Sequence, residues 1–361
     1  MKPLRFAGTF APGFEAAVRL SLREDLPRSG DVRLSSGFVR FSFSGQSLRA
    51  DDLPYLNNVF SVFREWDTSS MPFRALVRKT GGEEEFARAW EAVAPPGARS
   101  FRVRFSAMNR FVPVDRDVSA DAERLIASRT RLSVDRVKPD VEFWYITRSE
   151  GWSCLAARLP SAGEGSEPRA GELKPEIARL LVATAAIPAG ARVLVDPFAG
   201  YGSIPQALSE RFPSAAVYAL DADADRARDL ERRFAASSRV RVVRSDVTGF
   251  LEACSLPPGG VDAVVTDPPW GFWESERYGG ADSLRALYDA MLAAFSVALS
   301  PSGRLVVLTG AKREFEESVA ASPAFRDAAL APGFRSNVLV NGKKSAVYSL
   351  VNPPERPESG S

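Results

Sequence analysis

Downstream of residue 190 the apolar positions cluster into short runs separated by helix-compatible stretches. Arg192–Val195, Ala215–Leu220, Val240–Arg244, Val261–Thr266 and Arg304–Leu308 read as buried strands, each too short for a helix and rich in valine or leucine. Ile204–Arg211 and Lys312–Ala321 have helical spacing. Ser336–Val340 and Ser345–Val351 flank Asn341-Gly342-Lys343-Lys344, and Asn-Gly between two apolar runs signals a β-hairpin. The pattern predicts an α/β domain whose parallel sheet is closed by an antiparallel hairpin. Upstream, Leu4–Phe10 alternates as a strand, Ala11-Pro12-Gly13 turns, and Phe14–Leu26 aligns Phe14, Val18 and Leu22 on one helix face. Phe38–Phe43 and Ser100–Phe105 alternate as strands. A helix is expected near Ala120–Arg129, and Val134–Val137 leads to a further run at Lys138–Ile146. In the alternating run, Arg102 and Arg104 are expected on an exposed face. Ser161–Pro168 reads as a flexible linker, and Pro353–Ser361 as a disordered tail.

The first four C-terminal strands each end at an aspartate: Asp196, Asp221, Asp246 and Asp267. Open parallel sheets bind ligands beyond the carboxyl ends of their strands. Asp196-Pro197-Phe198-Ala199-Gly200-Tyr201-Gly202-Ser203 joins the first strand to a helix, so glycines that admit close approach precede free helix N–H groups. This is a nucleotide-type loop, but Pro205 stands where a dinucleotide fingerprint needs its third glycine, which disfavours a nicotinamide enzyme. Asp221, about twenty residues on, is placed to accept both hydroxyls of a ribose. Asp246, with Val247 beside it, is placed for an adenine amino group.

Asp267-Pro268-Pro269-Trp270 suits methyl transfer to an amino group. An exocyclic or amide nitrogen is a poor nucleophile because its lone pair is delocalised. A carboxylate at 267 can accept one N–H and the Pro268 carbonyl the other, pushing the nitrogen toward tetrahedral geometry. Consecutive prolines have fixed φ and no N–H, so their carbonyls hold position. Trp270 offers a stacking face, worth about 1–3 kcal/mol per base. Phe272, Trp273 and Tyr278 follow on a polar loop and are further candidates to close over a base. The tetrapeptide alone does not name the acceptor: guanine N2, adenine N6 and a protein glutamine amide all fit it.

The chain has 361 residues, enough for two or three domains, and no histidine, which excludes imidazole bases, His-dependent triads and histidine-based zinc sites. Cys154 and Cys254 are far apart in sequence, so neither a structural disulfide nor a metal site is expected. No signal peptide or long apolar span appears, which points to the cytoplasm and away from membranes. Residues 1–160 carry 25 Lys+Arg against 20 Asp+Glu, and 161–361 carry 22 against 25. Attraction to phosphate therefore belongs mainly to the N-terminal part.

Glu172-Leu173-Lys174-Pro175-Glu176, then Asp196–Ser203, then Thr266-Asp267-Pro268-Pro269-Trp270-Gly271 resemble the THUMP-domain RNA methyltransferases, in particular those forming N2-methylguanosine in tRNA. The resemblance implies a seven-stranded Rossmann-like S-adenosylmethionine-dependent methyltransferase sheet over 172–353. Ahead of it would stand α+β modules, ferredoxin-like over 1–67 and THUMP-like over 68–160, joined by a linker at 161–171 and followed by a tail at 354–361. It implies that 196–203 holds the methionine moiety, Asp221 the ribose, Asp246 and Val247 the adenine, and Asp267–Trp270 the target amine. The segment 172–181 would close over the cofactor. The implied partner is RNA, tRNA above all, with no metal, membrane or obligate protein partner. Relatives usually carry tyrosine or phenylalanine at the place of Trp270, and Asp-Pro-Pro-Trp is shared with adenine-N6 methyltransferases. The other class open to the sequence is an RNA-binding protein whose catalytic domain is inactive.

Overall fold

The structure, a computed structural model, describes residues 3–45, 47–68, 71–80, 83–161, 169–271, 281–331, 333–340 and 342–352. The chain divides into two compact units, Met1–Phe10 with Ser21–Ser166, and Ala11–Leu20 with Glu167–Ser361.

The first unit is built on one nine-stranded sheet. Its strands are β1 (Leu4–Thr9), β2 (Ser29–Ser35), β3 (Phe38–Phe43), β4 (Asn58–Trp66), β5 (Ser100–Ala107), β6 (Arg110–Phe111), β7 (Ser133–Val134), β8 (Val141–Arg148) and β9 (Trp152–Arg158). They run in the order β2-β3-β1-β4-β9-β8-β5-β6, with β7 pairing β5. The β4·β9 pairing makes the sheet continuous across residue 67. The helices are α1 (Glu15–Asp25), whose first residues fall in the second unit, α2 (Phe73–Arg78), α3 (Glu83–Glu91) and α4 (Arg116–Thr130). An aromatic core joins Phe63 on β4, Phe86 on α3 and Phe143 on β8, with the Phe63 and Phe86 rings stacked at 4.6 Å.

Arg102 and Arg104 do not stand on a bare, solvated face. Glu142, the residue opposite Arg102 on β8, pairs with both of them, and Arg158 from β9 approaches its other oxygen at 3.6 Å. Arg104 also lies over the Phe111 ring at 4.8 Å. The alternation correctly gave the face, but cross-strand pairing, invisible in a single strand, draws these guanidiniums into a half-buried cluster.

The second unit contains a seven-stranded sheet. In chain order it comprises α5 (Pro175–Thr184), β10 (Val193–Asp196), α6 (Ser203–Arg211), β11 (Ala216–Asp221), α7 (Ala224–Phe234), β12 (Val240–Arg244), α8 (Phe250–Ala253), β13 (Val261–Thr266), α9 (Ala281–Ala298), β14 (Leu299–Thr309), α10 (Lys312–Ala321), β15 (Arg335–Val340) and β16 (Lys343–Val351). The strand order is β12-β11-β10-β13-β14-β16-β15. All pairings are parallel except those of β16 with β14 and β15. The predicted hairpin is therefore present, with Gly342 in the left-handed region at φ +78°, while Asn341 lies outside the described residues. Leu194 and Val195 on β10 are fully buried, as are Ala263, Val264 and Val265 on β13, because helices cover both faces of a parallel sheet. The chain leaves β10 for β11 on one side and later returns to place β13 on the other, so the direction of strand order reverses beside β10. Crevices form at such reversals. The linker residues 162–168 and the tail 353–361 lie outside the described residues, and no helix among the described residues is long and apolar enough to cross a membrane.

Candidate active site

β10 ends on Asp196, whose side chain is 1% exposed. Its Oδ1 accepts the Thr266 hydroxyl at 2.7 Å and the Phe198 N–H at 3.2 Å, while Oδ2 is buried with no hydrogen-bond partner. Burial, reinforced by the nearby charges of Asp267 and Asp221, pushes this carboxyl up to about 8. Thr266, the last residue of β13, thus ties the end of one strand to the end of its neighbour.

The loop that follows is tight. Pro197 is buried, the Ala199 N–H donates to the Leu220 carbonyl at 2.7 Å, and the Gly202 N–H to the Ala199 carbonyl at 2.7 Å. Gly200 has φ +53°; Gly202, at φ +91°, is the N-cap of α6. A Cβ on Gly202 would meet Phe234 at 2.9 Å and Leu230 at 3.0 Å, so this position needs glycine for space as well as for conformation. Ser203 opens α6 with its Oγ buried and without a partner. Arg233 on α7 donates to the Tyr201 carbonyl at 2.6 Å and reaches Glu172 at 3.2 Å, joining the loop to the segment ahead of α5.

Asp221, at the end of β11, accepts the Gly200 N–H at 3.1 Å through Oδ2 and the Asp223 N–H at 2.9 Å through Oδ1. Partial burial raises its carboxyl above the ordinary value. Asp246 lies just beyond β12 and is exposed. Its Oδ1 accepts from the Thr248 N–H at 2.9 Å, the Thr248 hydroxyl at 2.7 Å and the Gly249 N–H at 3.0 Å, so that oxygen builds its own loop. Val247 packs into the core with Tyr218, Leu220 and Phe250, which leaves only its main chain to offer a ligand.

Beyond β13, Pro268 is buried and Asp267, Pro269 and Trp270 are half-buried. The Trp270 indole N–H donates to Asp267 Oδ1 at 2.8 Å, and the Pro269 carbonyl accepts the Tyr288 hydroxyl at 2.8 Å. Asp221 and Asp267 are each close enough to act electrostatically on Asp196; Asp246 stands one strand beyond Asp221. Phe272, Trp273 and Tyr278 lie outside the described residues. Thr266, Arg233 and Tyr288 join the site only through partners from other elements. Only Thr266 had a local signal, standing next to Asp267.

These features define a Rossmann-like methyltransferase fold with a row of carboxylates along the carboxyl edge of its sheet. Residues 167–341 match the family model UPF0020, the RMKL-like methyltransferase domain. The chain is 34% identical over 202 residues to tRNA (guanine(6)-N2)-methyltransferase of Thermus thermophilus, a match covering 55% of this chain and 52% of that protein. It thus spans about half the length of the curated relative it matches. The fold is similar to that of TrmN from Thermus thermophilus, with a TM-score of 0.73, 24% identity, and coverage of 97% of this chain and 99% of that one. A possible methylase from Clostridium difficile 630 is also similar, with a TM-score of 0.66, 16% identity, and coverage of 99% and 100%.

Proposed function

We propose that this protein transfers a methyl group from S-adenosylmethionine to guanine N2 in tRNA. The single observation that carries the reading is the carboxylate row, which runs from a glycine loop with two unsatisfied buried oxygens to a carboxylate-proline-proline-tryptophan loop on the adjacent strand. The named activity of the Thermus relative and the matched methyltransferase domain support it.

The donor set suits the cofactor. Asp196 Oδ2 lacks a donor and would accept from the methionine ammonium. Ser203, with the N–H groups opening α6, lacks an acceptor and would take the carboxylate. Asp221 has acceptor capacity beyond its two backbone bonds and would hold the ribose hydroxyls. Asp246 and the main chain of Val247 would meet the adenine, while 172–181 would close over the methionine end. When bound, the cofactor supplies an electrophilic methyl on a sulfonium.

On the acceptor side, Asp267 accepts one N–H of the target amine while keeping the indole of Trp270 on Oδ1, since a carboxylate offers about four lone-pair sites. The Pro268 carbonyl accepts the other N–H. The proton released after methylation passes to Asp267 or to water. Rate enhancement comes mainly from positioning, and stacking on Trp270 offsets part of the few kcal/mol needed to flip a base from a helix. We assign RNA capture to the first unit, ferredoxin-like over 1–67 and THUMP-like over 68–160, which carries the basic excess. The protein is read as acting in the cytoplasm.

The test is mass spectrometry of nucleosides from tRNA treated with purified protein and S-adenosylmethionine. N2-methylguanosine is expected. N6-methyladenosine or no methylated nucleoside would each overturn the assignment.

A further inference from the structure

Tyr288 on α9 is fully buried, packed edge-on against Phe315 with ring centroids 5.6 Å apart. Its hydroxyl donates to the Pro269 carbonyl at 2.8 Å and lies 2.9 Å from Thr309 Oγ1, which in turn accepts the Ala311 N–H at 3.0 Å. The direction of the middle bond follows from counting hydrogens. A carbonyl can only accept and a phenol has one hydrogen, so the Tyr288 hydrogen is committed to Pro269 and the Thr309 hydroxyl donates to Tyr288. A directed relay therefore runs from the backbone after β14, through two buried hydroxyls, to the loop after β13.

Its effect on that loop is torsional. Peptide planarity leaves φ and ψ as the soft angles, and proline fixes φ near −65°. At Pro269 only ψ remains. That angle sets both the direction of the carbonyl Tyr288 holds and the course of the chain into Trp270, whose indole reaches back to Asp267 at 2.8 Å.

We infer that Tyr288, backed by Thr309, is a positioning residue for methyl transfer: by fixing ψ of Pro269 it sets the stacking face of Trp270 and orients the Asp267 carboxylate toward the amine. The inference rests on the function proposed above. Tyr288 touches neither reacting group, so its removal should lower turnover without weakening cofactor binding.

Two readouts on the full chain test it. Tyr288→Phe keeps the ring and removes the hydroxyl. Its turnover should fall roughly ten- to a hundredfold, the scale of a small misplacement at a reacting centre, with cofactor affinity unchanged. Thr309→Val should fall in the same direction and Thr309→Ser, which retains the hydroxyl, should recover. The second readout needs no substrate. Nitrogen-labelled indole spectra of the six tryptophans, with Trp270 assigned by its loss in Trp270→Phe, should show its N–H shifted and exchanging faster in Tyr288→Phe. If Tyr288→Phe does not fold, Thr309→Val carries both measurements. An unaltered Trp270 signal or undiminished turnover in a folded variant overturns the inference. A wild-type protein that methylates no RNA overturns the functional reading instead, and the indole signal still decides this one.

Discussion

Replacing Asp196 by asparagine should make the protein less sensitive to alkaline pH while disabling its cofactor site. Asparagine mimics the protonated acid: its oxygen can accept from Thr266 and Phe198, and its NH₂ occupies the place of the unpartnered Oδ2. In the wild type, burial raises this carboxyl from an ordinary value of 3.8 to about 8. Between those limits the folded chain holds a proton that the unfolded chain has released. The stability associated with this proton is fully present below about pH 4 and is lost as pH rises toward about 8. At about 1.4 kcal/mol for each pH unit, the span is worth on the order of 5 kcal/mol. Even half of that would move Tm by roughly 5–10 °C. Scanning calorimetry from pH 5 to 8.5 should therefore show the wild-type Tm falling relative to Asp196→Asn as pH rises. Capture of a cationic ammonium should drive the wild-type proton off near pH 7, seen as a dependence of binding heat on buffer ionisation enthalpy that Asp196→Asn lacks. Parallel Tm profiles and no proton release would refute the reasoning, because Asp196 would then ionise like an ordinary carboxylate.

Asp267→Ala should cut turnover sharply with cofactor and tRNA affinity nearly intact, as read by single-turnover methylation; because Trp270 also loses its partner, full activity would reduce the loop to a turn. Asp221→Ala removes the proposed ribose acceptor and the acceptor of the Gly200 N–H together, so calorimetry should show S-adenosylmethionine affinity lowered about ten- to a hundredfold, each power of ten being about 1.4 kcal/mol. Gly202→Ala forces a left-handed φ and contacts at 2.9–3.1 Å with Phe234, Leu230 and Arg233, so thermal denaturation should show roughly 1–3 kcal/mol of lost stability.

The strands that carry the candidate site were the most legible part of the chain. Runs such as Val240–Arg244 and Val261–Thr266 are bounded by polar turns, so their bounds agree to the residue; Val261–Thr266 is buried as its pattern predicts, whereas Val240–Arg244 is an edge strand with only Val240 buried. β14 starts at Leu299 rather than Arg304 because its first residues pair with β13 across a register shift that Pro301-Ser302-Gly303 conceals as a turn. α7 escaped notice because only Ala227, Leu230 and Phe234 of its eleven residues are buried beneath a charged surface. β9 lacks alternation, with six successive buried residues in its seven, and β2 lacks an apolar run. In the candidate site the carboxylates were legible because each closes a strand. The hydroxyls of Thr266, Tyr288 and Thr309 were not, since their roles depend on partners brought in by other elements, up to 70 residues away for the Thr266–Asp196 bond.

The sheet order has a consequence for how the candidate site is divided. In the chain the acids occur as Asp196, Asp221, Asp246 and Asp267, but across the sheet they stand as Asp246, Asp221, Asp196 and Asp267. Neighbouring strands are about 4.8 Å apart, so the row spans roughly 14 Å, with the earliest segment in its interior. Of the acids proposed for the methyl donor, Asp196 closes β10 and Asp221 and Asp246 lie on one flank of it, while the proposed acceptor loop follows β13 on the other. On the proposed function, substitutions after β13 reach the donor side chiefly through Asp196, which feels the charge of Asp267 and accepts the Thr266 hydroxyl. The acids to the β12 side of β10 are then shielded from such changes by a strand spacing or more.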